Sequence, residues 1–109
     1  MAELIGVDAV LRDGLVGACC TLGTDELPQR LAEWRRLRDR ARTVDRFDEG
    51  VHIALAHDEA VDAVARLVAM EAECCAFYRF SLEVAGPRRE LTIDAGPGGG
   101  EAVAALLGL

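Results

Sequence analysis

Apolar positions recur at helical spacing in two long stretches of the chain. The first stretch predicts a helix over residues 25–42, because its apolar residues repeat every three or four positions. These residues are Leu27, Leu31, Trp34, Leu37 and Ala41. The same criterion predicts a second helix from His57 or Asp58 to Cys75 or Ala76. A short closing helix is predicted over Glu101–Leu107.

Five shorter runs of residues are typical of β-strands, because each is either continuously apolar or alternates between apolar and polar residues. Glycine-containing polar loops separate the second run from the third and the fourth from the fifth, which is typical of hairpins. The predicted strands are Leu15–Leu22, Thr43–Phe47, Val51–Ala56, Phe77–Val84 and Glu90–Ala95.

The resulting order is β-α-β-β-α-β-β-α, and its first six elements have ferredoxin-like order. An amphipathic helix must bury its apolar stripe against another element, so we expect a two-layer α+β sandwich. Its two main helices would lie on one face of a mostly antiparallel sheet. With 109 residues, the chain suits a single domain over residues 1–109, with residues 1–14 as a loosely packed N-terminal arm.

The charge and hydropathy of the chain exclude several classes of partner. A net charge of −7 argues against nucleic acid, which requires a basic surface. No segment has the roughly 18 consecutive apolar residues that span a bilayer, so no membrane partner is expected. The N-terminal residues lack the basic start of a signal peptide, and we expect a cytoplasmic protein.

Glu71 interrupts the apolar face of the second predicted helix. At about 100° per residue, Glu71 and Cys75 fall in the middle of that face, and Cys74 falls at its margin. A buried carboxylate without a partner is strongly unfavourable. Since positions three and four apart are neighbours on a helix, the carboxylate and both thiols would converge at one helix end.

Three interpretations of this cluster follow from the residues. Glu71 pairs with an arginine, for which Arg38 on the first helix is the candidate, and the cysteines are small core residues. Alternatively, the thiolates and the carboxylate bind a soft metal ion. In the third interpretation a reactive thiol performs redox or nucleophilic chemistry, although the negative end of the helix dipole disfavours a thiolate there.

The four cysteines form two vicinal pairs, Cys19-Cys20 and Cys74-Cys75, which is not the spacing of a disulfide framework. On a strand the two members of the first pair face opposite sides, and we favour Cys20 as the inward one. Cys20 is therefore the further ligand of the candidate metal site, beside Glu71, Cys74 and Cys75.

The motif Glu71-x-x-Cys74-Cys75-x-Phe77 supports a family resemblance, together with Cys20-Thr21-Leu22 and Arg30-Leu31-Ala32-Glu33-Trp34 before it and Phe80-x-Leu82 after it. It resembles small bacterial domains that occur alone or attached to MerR-like, mercury-resistance-type regulators. These domains often have proline after the second cysteine, where this chain has Ala76. The resemblance implies an association with heavy-metal or thiol-linked responses.

The sequence therefore predicts a cytoplasmic soft-metal-binding domain that takes Zn(II), Cu(I) or Hg(II), or another small thiophilic ligand. A thiol-dependent enzyme, for example one that cleaves a carbon–metal bond or performs redox chemistry, is the first alternative. The second is an interaction module with structural cysteines. A homodimer formed through the sheet is compatible with all three.

Overall fold

The computed structural model describes residues 26–109, which form three helices and four strands. In chain order these are α1 (Glu26–Arg40), β1 (Thr43–Arg46), β2 (Gly50–Ala54), α2 (Val61–Cys74), β3 (Arg79–Ala85), β4 (Arg88–Asp94) and α3 (Gly100–Leu107). Among these elements no helix is long and apolar enough to cross a membrane.

The four strands form one antiparallel sheet in the order β1-β2-β4-β3. Each half of the described chain contributes a helix followed by a hairpin, and the second strands of the two hairpins pair in the middle of the sheet. Ile53 of β2 lies opposite Leu91 of β4, and Leu91 lies opposite Leu82 of β3. The register therefore places apolar residues from neighbouring strands on the same face.

That apolar face supports the core. The completely or almost completely buried positions include Val51 and Ile53 of β2, Leu91 and Ile93 of β4, and Trp34 of α1. Residues of α2 and α3 join the same cluster, so the helices form the second layer over this face. The other face carries the polar row of His52 and Thr92, whose side chains are 2.9 Å apart from Nδ1 to Oγ1.

Two glycines are required by the geometry of the sheet. Gly86 begins the β3–β4 turn with a φ of 59°, a conformation that glycine adopts without strain. A Cβ on Gly50 would lie 1.8 Å from the carbonyl oxygen of Ile93, so β2 and β4 approach each other more closely than any side chain permits.

The C-terminal helix is anchored by arginines of α1. Its C-cap Gly108 has a left-handed φ of 71°, and the last carbonyls lack intrahelical donors. Arg38 Nη1 donates to the Leu107 and Gly108 oxygens at 2.8 and 3.1 Å, and Arg35 Nη2 donates to the Ala105 oxygen at 3.3 Å. Arg35 and Arg38 of α1 thus satisfy carbonyl oxygens at the end of α3.

The predicted α+β class, the antiparallel sheet and the type of each element after the first strand are confirmed. The predicted strand Leu15–Leu22, with Cys20, and the N-terminal arm lie outside the described residues. Helix α2 begins at Val61, about one turn later than predicted, because the chain turns through His57 and Asp58 before its N-cap at Ala60.

Candidate functional site

Helices α1 and α2 run antiparallel, so the start of α1 meets the end of α2. Arg30 contacts Glu71 at this end of the pair, and Arg40 contacts Glu59 just before α2 at the other. Arg30 and Trp34 are four residues apart on α1 and share one side of it. Glu71 and Cys74 are three residues apart on α2. The packing therefore brings these four side chains together, and we refer to Arg30, Trp34, Glu71 and Cys74 as the thiol cluster.

One carboxylate oxygen is the centre of the thiol cluster. Glu71 Oε1 accepts a hydrogen bond from Trp34 Nε1 at 2.8 Å and another from Arg30 Nη1 at 3.3 Å. The same Arg30 nitrogen lies 3.9 Å from Cys74 Sγ. The indole ring is fixed in turn by stacking on Phe80 of β3, with the ring centroids 5.9 Å apart.

The burial expected of Glu71 is confirmed, since only 3% of the residue is exposed. Its arginine partner is Arg30, however, and the expectation that Arg38 would pair with it is wrong. Arg38 lies two turns further along α1, where it binds Asp39 and the end of α3. The buried stripe of α1 contains Arg30, Trp34 and Leu37. Trp34 and Leu37 belong to the apolar set that the helical spacing predicted, whereas Arg30 is more deeply buried than its neighbour Leu31.

The electrostatics of the site explain why an arginine is needed there. The C-terminal end of a helix carries partial negative charge and disfavours carboxylates and thiolates. Helix α2 has no basic residue in its own last turn. Burial by itself lowers the pKa of Arg30. The hydrogen bond with Cys74 and the negative charge of Glu71 outweigh that effect, so the pKa lies above its ordinary value and Arg30 remains a cation.

The two cysteines of α2 occupy different environments. Cys74 is the last residue of the helix and is half-buried beside Arg30. Cys75 is the C-cap, has extended backbone angles and is completely buried in the core. A neighbouring cation favours the thiolate form of a cysteine, and Cys74 is also the less buried of the two. Cys74 is therefore the candidate reactive position, and Cys75 has the environment of a core residue.

The described residues contain only part of the predicted set of metal ligands. Within residues 26–109 there is no group of three or more histidine, cysteine, aspartate or glutamate side chains arranged to hold one. Glu71 Oε1 already accepts two hydrogen bonds. The remaining predicted ligand, Cys20, lies outside the described residues. The described part of the site therefore offers one accessible soft donor, Cys74, with Cys75 next to it.

Sequence reasoning did not identify Arg30 and Trp34 as members of the site. A signal for them existed, because a buried glutamate requires a donor and the two residues are four apart on the neighbouring helix. Several arginines satisfy that requirement equally well on a helical wheel. Only the crossing of α1 over α2 distinguishes Arg30 from the rest.

No family model, curated protein or solved structure matches this chain. The resemblance carried by Glu71-x-x-Cys74-Cys75-x-Phe77 therefore rests on the motif alone.

Proposed function

We propose that this domain binds a soft, thiophilic metal ion in the cytoplasm, with the Cys74 thiolate as its primary ligand. The observation that carries the proposal is the 3.9 Å approach of Arg30 Nη1 to Cys74 Sγ at the end of α2. A fixed cation beside a half-buried thiol favours the thiolate, which is the form that binds metals. It also offsets the unfavourable helix dipole.

Glu71 and Trp34 act through Arg30 in this proposal. Glu71 holds the guanidinium in place by an ion pair, and Trp34 fixes the same carboxylate oxygen by its indole N–H. Glu71 is then a positioning residue, in the way that groups around a metal ligand orient it and tune its charge. This role differs from direct ligation by Glu71, and it is compatible with the burial of the carboxylate.

The ligand set favours ions that require few thiolates. Cysteine sulfur selects soft ions such as Cu(I) and Hg(II), which accept two thiolate ligands. Cys75 and Cys20 are the candidates for the second position. A closed zinc site would require about four ligands, more than the described residues provide.

Metal titration of the reduced protein, followed by native mass spectrometry and thiolate-to-metal absorption, tests the proposal. Wild-type protein is titrated with Hg(II), Cu(I) and Zn(II), beside Cys74→Ser, Cys75→Ser and Cys20→Ser variants. We expect one equivalent of Hg(II) or Cu(I) per chain, and its loss in Cys74→Ser. Either Cys75→Ser or Cys20→Ser removes the second ligand, and that variant should weaken metal binding less than Cys74→Ser does.

The Arg30→Lys variant tests whether metal binding requires the guanidinium or only a positive charge at this position. It keeps a positive charge but loses the planar fork that serves Glu71 and Cys74 together. We expect it to bind metal more weakly than wild type and to react more slowly with iodoacetamide at neutral pH. No metal in the wild-type protein, or equal affinity in Cys74→Ser, would refute the proposal and leave the thiol cluster as core architecture.

A further inference from the structure

A groove with a volume of about 150 Å³ lies between α1 and α2, beyond the thiol cluster. Both helices contribute to its walls. Its lining includes Glu33, Arg36, Leu37, Arg66, Leu67 and Met70. Met70 lies one helical turn before Cys74, so the groove ends close to the thiol without including it.

The floor of the groove is apolar and its size is limited. Leu37, Val64 and Leu67 are buried, and Met70 is half-buried beside them. A volume of about 150 Å³ accommodates one benzene-sized ring. Methionine is flexible and polarisable and adapts to the shape of a ring. The groove therefore suits a single-ring group rather than an extended peptide.

The charge on the rim favours an anion. Of its three arginines, Arg40 is already paired with Glu59 at 3.1 Å and with Asp58 at 3.6 Å. No ion pair or side-chain hydrogen bond within the described residues involves Arg36 or Arg66. These two exposed guanidiniums stand on opposite helices, one on each wall. The chain as a whole has a net charge of −7, which makes this pair of uncommitted cations a distinct local feature.

We propose that this groove binds a small aromatic carboxylate, with the ring on Leu37, Leu67 and Met70 and the carboxylate between Arg36 and Arg66. Arginine matches a carboxylate with two parallel N–H donors, and an apolar floor selects for the ring. The Glu33 carboxylate on the same rim opposes the ligand charge. This proposal goes beyond the metal site and does not depend on Cys74.

Titration of the full chain with benzoate, followed by ¹H–¹⁵N chemical-shift changes, tests this proposal. Two probes separate its parts: acetate has the charge without the ring, and benzyl alcohol has the ring without the charge. We expect saturable shifts at the groove with benzoate, and binding by each of the other two that is at least roughly tenfold weaker. Equal binding of benzoate and benzyl alcohol, or benzoate shifts centred elsewhere, would overturn the proposal.

Charge variants on the rim provide the second test. Arg36→Gln and Arg66→Gln should each weaken benzoate binding roughly fivefold, the upper range for an exposed charge pair. Arg46→Gln, an exposed arginine on β1, is the matched control and should leave the affinity unchanged. Glu33→Gln should tighten binding. Retained affinity in the Arg36→Gln/Arg66→Gln double variant would refute the proposal, and a Cys74→Ser variant should bind benzoate like the wild type.

Discussion

A Glu71→Leu substitution removes the carboxylate that accepts hydrogen bonds from Trp34 and Arg30. Both donors are buried, since Trp34 is 0% exposed and the Arg30 side chain is 9% exposed. Water can therefore replace little of what is lost. The guanidinium would keep the Cys74 sulfur at 3.9 Å as its remaining side-chain polar partner within the described chain.

The expected loss of stability follows from these contacts. Breaking a buried ion pair by removing one partner costs about 3–5 kcal/mol, because the other charge stays buried. The unsatisfied indole N–H accounts for about 1–3 kcal/mol and overlaps with that figure. We expect Glu71→Leu to lower the free energy of unfolding by about 3–5 kcal/mol, a large part of the stability of a small domain. Glu71→Gln retains an acceptor oxygen and should cost about 1–2 kcal/mol.

A double-mutant cycle in urea isolates the pair. Trp34 is the only tryptophan of the chain, so its fluorescence reports on the thiol cluster, while circular dichroism reports on the whole fold. Arg30→Met/Glu71→Leu replaces both charges with apolar groups and should recover part of the loss. We expect a coupling energy of at least about 1.5 kcal/mol. Additive effects, with a coupling below about 0.5 kcal/mol, would show that the ion pair does not contribute in the way the geometry implies.

Three further predictions concern other parts of the fold. Arg38→Ala removes the donor to the carbonyls of Leu107 and Gly108 at the end of α3 and should lower stability by about 1–2 kcal/mol, with faster amide hydrogen exchange in α3. Gly50→Ala places a methyl group against the carbonyl oxygen of Ile93 and should cost about 1–3 kcal/mol or more in urea unfolding. The hydrogen bond from Arg79 is the main cause that lowers the pKa of Asp94 below its ordinary value of 3.8. A lowered carboxyl pKa stabilises the fold above pH 3.8, and this contribution is lost as the pH falls through the lowered pKa. Arg79→Met should therefore raise the pKa of Asp94 in a carboxyl NMR titration.

Each of these three has an outcome that contradicts it. Unchanged exchange in α3 would mean that the arginine does not cap the helix. A Gly50→Ala variant as stable as the wild type would mean that β2 and β4 separate at little cost. An Asp94 pKa that stays low in Arg79→Met would place the cause in the backbone hydrogen bond from Gly96 instead.

The local patterns of the chain determined most of the described fold. Helical spacing gave α1, α2 and α3, and alternation with glycine-containing loops gave both hairpins, because these patterns depend on neighbours within a few residues. The same wheel placed Glu71 on a buried face. The start of α2 was less well predicted, since Ala60 provides no side-chain cap to mark it.

The tertiary structure decided which side chains of α1 and α2 contact each other. The arginine that pairs with Glu71 is determined by how α1 crosses α2. From the sequence alone, several arginines of α1 are equally suitable partners. The separation of Cys74 from Cys75 into a half-buried and a buried thiol depends on where α2 ends against the core. The groove between Arg36 and Arg66 exists only because the two helices lie side by side. Sequence periodicity fixes which face of a helix is buried, but contacts between residues some 40 positions apart depend on packing, and packing is a property of the whole domain.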